Sequence, residues 1–588
     1  HHEVFSSALV PLTLQAPALP GDVLVKAMRA ISLYLSACHR ATRGGAPLLL
    51  AATSLPSSKA ASFEDLLVVL VDSLGPRLPE LKAHRVVRAL HSLYCLEVQG
   101  LLPEGLFAKL RAAAAQDLRT RTMELSVRDI SYALEALGGE PGEDLKSVIP
   151  MLLEEVLQHV LTMTPEDALR LLKAMGKFPH TLRPPEAESV IIAEVMRELR
   201  ALAPRQLCDV VDAFRRLRLQ DPAILENLGE AFASQVERFT PEQLATCLHG
   251  LVAQGVRDPP IFIAAAPKIV QDFVGFSHRD FCLCMWAFAK ASHKDGPLIK
   301  RLEMFYKESK NSRQLTPSDV SMLLWSFSRF AWELPPEVLR RFTHHAALEC
   351  QSYSDTALLV TCLSLARLGF RETAVLSTIY RSFYPRLPAL ADSQFAFVFV
   401  LFSGSGVRDG PLLQRLLHET KLRLCGLQGY DLANVVMACF RSGTSTLLKD
   451  LEGLHDALRD AALENASSMP IKPRLRVFLA APTLFDLTEV QTMALADEVA
   501  ADIPAMDTAE LTRCVVACAR CHLVHEPFLR PVFQAIREKR EELSPNDVLA
   551  CCWAISAMGF YTPKFRRSLG FMLMAHVKAW RIPASKLR

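Results

Sequence analysis

A period of 37 to 39 residues runs through most of this 588-residue chain and limits what it can fold into. The anchors are Ser126, Thr164, Ala203, Thr240, Ser277, Thr316, Ser354, Ala391, Gln428, Asp507 and Ser544, with steps of 38, 39, 37, 37, 39, 38, 37, 37, 79 and 37. The step of 79 is about twice the period, so a degenerate copy is expected near Ser467. Lys82 begins an earlier copy with a longer loop, and residues 21–40 suggest one more. A unit repeated at this spacing cannot bury its apolar face alone and must stack on its neighbours.

Counting offsets from each anchor, the unit reads as a capped helix. The anchor is Ser, Thr or Asp in eight of twelve clear units, and Pro follows it in five. Three residues on stand Asp129, Asp167, Gln206, Gln243, Asp280, Asp319, Gln394, Asp431, Glu510 and Asp547. That is the pattern of a capping box, in which two orphan N–H groups are satisfied reciprocally, and Pro at the first helical position loses no bond. Apolar residues at offsets 4, 7, 8 and 11 form an amphipathic stripe. Offset 10 is small in every clear unit but one: Ser92, Ala136, Ala174, Ala213, Gly250, Ala287, Ser326, Ser364, Ala438, Ala517 and Ala554, with Leu401 the exception. Such a column lets successive helices approach closely. Gly138, Gly176, Gly255, Gly369 and Gly559 follow, where C-caps are expected, and a second helix fills the rest, as at 298–307 and 336–347.

The expected fold is all-α: an α-solenoid, a right-handed superhelix of about 13 helix-turn-helix repeats of roughly 38 residues. We expect a divergent N-terminal part over 1–81 with an extended loop at 42–61, a regular array over 82–462, a degenerate repeat over 463–506 and C-terminal repeats over 507–588. A hydrophobic content of 50% with only 25 Gly excludes disorder and collagen. The longest apolar stretch, 395–402, is too short to span a bilayer. Net charge is only +3, so any basic surface must come from arrangement.

Offsets 2, 6, 9 and 13 share one side of the first helix. Offset 13 carries Lys177, Arg216, Lys290, Arg329, Arg367, Arg441 and Arg520, seven cations in twelve units and no acid, against 66 Lys and Arg in the whole chain. Stacked helices lie about 8–10 Å apart, so equivalent cations form a line that can track a phosphodiester backbone. The same residues sit in the last turn, where they can complement the helix dipole, or they can pair with acidic protein surface. Offset 9 carries Trp286, Trp325 and Trp553, able to stack on a base or to cover the next helix, but also Glu135, Lys173, Asp212 and His249.

Cys247, Cys284, Cys514 and Cys551 fall at offset 7, Cys362 and Cys552 at offset 8, and Cys439 and Cys518 at offset 11. These are core positions, where Cys acts as a small hydrophobe, and no second cluster at zinc spacing accompanies them. His249, His344 and His345 have no partner set. Gly404-Ser405-Gly406 lacks the Lys-Ser/Thr of a phosphate loop, and neither G-x-S-x-G nor H-E-x-x-H occurs. The expectation is no enzyme, no metal, no cofactor, no small-molecule substrate and no membrane.

The phrases Met285-Trp-Ala-Phe-Ala-Lys290, Leu324-Trp-Ser-Phe-Ser-Arg329, Leu363-Ser-Leu-Ala-Arg-Leu-Gly369 and Cys552-Trp-Ala-Ile-Ser-Ala-Met-Gly559 give 82–588 a further likeness. This stretch resembles the heptatricopeptide repeat proteins of organelles. It is also similar to octotricopeptide repeats and to the helical part of the Fas-activated serine/threonine kinase family. The resemblance implies an RNA-binding protein imported into the mitochondrial matrix after removal of a targeting peptide; the chain opens His1-His2 without Met, which is compatible with processing. Many such proteins end in a RAP domain, and none is visible up to Arg588, so binding rather than cleavage is expected. The reading is a structural component of the mitochondrial ribosome, contacting rRNA and neighbouring proteins. The alternatives are a free organellar transcript maturation or stability factor and an armadillo-like scaffold that binds only proteins. RNA binding requires the offset-13 cations open to solvent; in a protein-only scaffold they are neutralised by acids of adjacent helices.

Overall fold

The computed structural model describes residues 15–42, 63–100, 102, 105–138, 143–307, 314–451, 453–539 and 542–559. The expected loop at 42–61 lies outside them except for its first residue, as does the chain from 560 onward. Among the described residues there are 28 α-helices with short 3-10 turns and no strand, and no helix is long and apolar enough to cross a membrane. The chain is an α-solenoid, divided into two compact units, His1–Leu298 and Ile299–Arg588.

In the first unit the helices are α1 (Gly21–Thr42), α2 (Phe63–Leu74), α3 (Ala83–Val98), α4 (Leu106–Arg119), α5 (Val127–Leu137), α6 (Glu143–Gln158), α7 (Pro165–Met175), α8 (Pro185–Arg197), α9 (Pro204–Leu217), α10 (Pro222–Gln235), α11 (Pro241–Ala253), α12 (Pro259–Gln271) and α13 (His278–Lys290). The first helices of the repeats, α1, α3, α5, α7, α9, α11 and α13, pack on one another in that order. The division falls within α14 (Gly296–Lys307).

The second unit continues with α15 (Pro317–Arg329), α16 (Pro336–Leu348), α17 (Asp355–Arg367), α18 (Thr373–Arg381), α19 (Asp392–Gly404), α20 (Gly410–Arg423), α21 (Gly429–Arg441), α22 (Ser445–Asp450), α23 (Leu454–Ala466), α24 (Ile471–Leu484), α25 (Glu489–Ala500), α26 (Thr508–Arg520), α27 (Glu526–Glu538) and α28 (Pro545–Met558). Its row of first helices is α15, α17, α19, α21, α24, α26 and α28. The degenerate copy is therefore α24. Counted from Pro470, its offsets 3, 5, 7, 8, 10, 11 and 12 are buried (Pro473, Leu475, Val477, Phe478, Ala480, Ala481 and Pro482), as they are in α26. The sequence hides this register because the inserted helix α22 lengthens the preceding step, and Pro470 offers no capping side chain.

Most anchors cap as their chemistry dictates. The side chains of Ser126, Thr164, Thr240, Ser277, Thr316, Asp507 and Ser544 accept the N–H three residues on, at 2.7–3.4 Å. At Ala203 and Ala391 only half of the box exists: Gln206 and Gln394 reach back to the anchor N–H at 2.9 and 3.3 Å. The offset-10 residues are buried, Ala136, Ala174 and Ala438 completely. A β-carbon at Gly250 would lie 2.4 Å from Val211 Cγ1, so α9 and α11 approach through a position that admits no side chain.

Candidate functional site

Each first helix ends at offset 15 in a left-handed residue in nine units: Arg218, Gly255, Ser292, Ala331, Gly369, Gly406, Gly443, His522 and Gly559. In seven of them the following N–H reaches back five residues, for example Trp332 to Phe327 O at 3.3 Å and Phe370 to Leu365 O at 3.0 Å. This is the Schellman ending, and it fixes where offset 13 points. Gly138 and Gly176 do not take that role: their φ values are −63° and −60°. They lie instead beneath the next unit's cation. A β-carbon at Gly138 would sit 2.5 Å from Lys177 Cδ, and one at Gly176 would sit 3.3 Å from Arg216 Cβ.

In the first unit, two of the three offset-13 cations are committed within the fold. Lys177 Nζ donates to the Tyr94 hydroxyl at 2.7 Å and to the Glu135 carbonyl at 3.1 Å, and lies 4.6 Å above the Tyr94 ring. Burial lowers its pKa, with Glu135 opposing. Arg216 pairs with Asp212 at 2.8 Å. Around them Lys173 pairs with Asp209 at 3.0 Å, Arg170 with Asp167 at 3.2 Å, and Arg170 stacks 4.3 Å from Tyr132. Glu135 is held below the usual carboxylate range: burial works against this, but His91, Lys177 and Arg170 outweigh it. Lys290 is exposed and has no ion pair among the described residues.

The second unit is different. Arg329, Arg367, Arg441 and Arg520 are exposed at the ends of α15, α17, α21 and α26, and none has a carboxylate at ion-pair distance among the described residues. Two further arginines, Arg476 on α24 and Arg513 on α26, join the last pair. Both stand at offset 6, but Arg476 can be aligned only once the degenerate register is known. Arg476 donates to Asn434 Oδ1 of α21. Arg520 lies 5.6 Å above the Phe440 ring, and a β-carbon at Gly404 would lie 3.6 Å from Arg441 Nη1. Burial, Arg513 and Arg520 hold Arg441 below its ordinary pKa; burial, Arg441 and Arg513 do the same at Arg476, against Tyr430.

The tryptophans divide. Trp286 is half-buried, its ring centroid 4.6 Å from that of His249, the offset-9 residue of the preceding repeat. It covers the neighbouring helix. Trp325 is also half-buried, whereas Trp553 is 52% exposed. His345 is structural: its Nε2 lies 3.0 Å from Leu315 O, and its Nδ1 lies 3.4 Å from the Tyr353 hydroxyl.

Seven of the eight offset-7, -8 and -11 cysteines are buried, and burial pushes the thiols of Cys439 and Cys514 up to about 12 and that of Cys551 up to about 11. Such thiols stay protonated and are poor nucleophiles and poor ligands. No group of three or more His, Cys, Asp or Glu among the described residues can hold a metal ion. A cleft of about 580 Å³ in the first unit is lined by Arg128, Thr164, Glu166, Asp167, Glu198 and Gln206. Its lining includes neither Cys nor His.

No family model matches the chain, and no curated protein matches it. Among solved structures it is similar to a chain of a homology model of the full-length AP-3 complex in an intermediate open conformation. The identity is 11% over 94% of this chain and 99% of that one, with a TM-score of 0.31. It is also similar to a circular tandem repeat protein with novel repeat topology, at 12% identity over 95% of this chain and 97% of the other, with a TM-score of 0.16.

Proposed function

We propose that the chain is a non-catalytic RNA-binding helical-repeat protein whose Ile299–Arg588 unit contacts RNA and whose His1–Leu298 unit contacts other proteins of the same assembly. One observation carries this reading. In the second unit three partly buried arginines away from the offset-13 line are matched to carboxylates, Arg386 to Asp355 at 3.0 Å, Arg423 to Asp392 at 2.8 Å and Arg474 to Asp502 at 2.7 Å, while Arg341 donates to the Tyr306 carbonyl and Arg476 to Asn434 Oδ1. Arg329, Arg367, Arg441 and Arg520 have no carboxylate at ion-pair distance among the described residues. Cations that recur at one offset of successive repeats and have no carboxylate beside them support an external polyanion as their counter-charge. The mitochondrial setting, as a structural part of the ribosome, rests on the resemblance of the Trp-Ala/Ser-Phe phrases.

A protein-only scaffold is the second reading, favoured by the carboxylates that neutralise Lys173 and Arg216 in the first unit. The test is the salt dependence of RNA binding. Replacing Arg329, Arg367 and Arg441 together with Gln removes three phosphate contacts, each worth about 0.7 in the log-log salt slope for a single strand, so the slope flattens by about 2. Titration of a labelled RNA between 50 and 200 mM salt measures it. Unchanged affinity and slope remove those arginines from the interface and favour the scaffold.

A further inference from the structure

The geometry points to a single backbone-clamping site on α21, α24 and α26, in which Arg441, Arg476, Arg513 and Arg520 grip consecutive phosphodiesters of a single-stranded RNA. It rests on the RNA reading above and locates where that binding is strongest. The first support is positional. At offset 6 the second unit carries Met322, Val360 and Phe397 in its earlier repeats, then Asn434, Arg476 and Arg513, and Ala550 in the last. The polar change is confined to three successive first helices, and there it meets the offset-13 arginines Arg441 and Arg520. Four guanidinium groups thus share three adjacent helices.

The second support is the counter-charge. No carboxylate lies at ion-pair distance from any of the four among the described residues, while Arg474, two residues before Arg476, is paired with Asp502 and bonded to four carbonyls. Arg474 holds the fold together, and Arg476, half-buried, donates to the neutral Asn434. Gathering like charges without an acid is unfavourable to the free protein; burial first, and then the neighbouring arginines, lower the pKa of Arg441 and Arg476. A phosphate chain removes the repulsion. Guanidinium groups fixed by Asn434 and by the Phe440 ring are also set in place before the ligand arrives, which lowers the ordering cost of binding.

The experiment titrates the full chain with a fluorescein-labelled 20-mer of uridine, which has no secondary structure to recognise. Arg476→Gln/Arg513→Gln is compared with wild type and with Arg329→Gln/Arg367→Gln, each checked for an unchanged melting temperature. The site predicts a loss of about tenfold or more at 100 mM salt for the first pair, a slope flatter by about 1.4, and a smaller loss for the second. Arg476→Lys/Arg513→Lys recovers the slope and only part of the affinity, since a point charge replaces a fork. If wild type binds and both Gln pairs lose equally, or the first loses less than twofold, the clamp is overturned and the general RNA reading stands. If wild type fails to bind, both fall. If inorganic pyrophosphate stabilises wild type but not Arg476→Gln/Arg513→Gln, while RNA affinity is the same in both, the site takes free phosphate and the RNA assignment is overturned.

Discussion

Ala331 is exposed and sits at φ 48°, a conformation that glycine adopts freely and that costs other L-residues about 1–2 kcal/mol. Glycine pays back about 0.5–1 kcal/mol of that as backbone entropy. Ala331→Gly is therefore expected to stabilise the second unit by about 0.5–1 kcal/mol, read as an upward shift of its urea midpoint; a downward shift would mean the β-carbon contributes contacts. At this scale the sequence was partly legible. Gly255, Gly369 and Gly559 are visible as caps because glycine marks the left-handed position. Arg218, Ser292, Ala331 and His522 hold the same conformation with no such mark. Gly138 and Gly176 carry the mark for another reason, which is room for the stems of Lys177 and Arg216. The committed bonds of Lys177 were also hidden, because Tyr94 lies 83 residues away in the chain and only stacking brings it close.

Between elements, the tie that recurs is a donor from the far end of a repeat to the carbonyl just before that repeat's anchor. Arg386 reaches Tyr353 O at 2.6 Å and Arg423 reaches Leu390 O at 2.7 Å, while Lys539 reaches Met506 O at 2.5 Å and Arg121 reaches Leu81 O at 2.6 Å. His345 closes on Leu315 O in the same way. Three of these donors, Arg386, Arg423 and Lys539, share offset 32, a column that mixes residue types elsewhere and so gave no sequence signal. Arg423 bonds three carbonyls and Asp392, and lies against the buried Glu419. Removing it leaves part-buried carbonyls without a donor, while Glu419 keeps Arg415 at 2.9 Å, so Arg423→Ala is expected to cost about 1–3 kcal/mol, whereas Arg329→Gln is near neutral. Chemical denaturation of the two variants checks the contrast. The helix pairs themselves were legible because their 3.6-residue stripe and caps are local. The α24 register was not, because it depends on an insertion whose length the pattern cannot count.

Across the whole molecule, contacts run mainly between neighbouring repeats, so stability is a sum of local terms. Gly250→Ala places a methyl against the stiff Val211 side chain and is expected to destabilise the α9–α11 interface by about 1–3 kcal/mol. Hydrogen exchange should show reduced protection in α9, α11 and α13 and unchanged protection in α21, α24 and α26. Equal loss in both units would mean the chain melts as one body.

The donors at offset 32 have a corollary for how such a chain can change. Since stacking is secured by the second helices' ends, the small residues within and, at offset 6, the bond from Arg476 to Asn434, the exposed arginine positions at offset 13 contribute little to holding repeats together in the second unit. They form a surface that can be rewritten repeat by repeat. On the proposed RNA reading, adding or removing an arginine at offset 13 would then move the grip along the array while the scaffold beneath stays as it was.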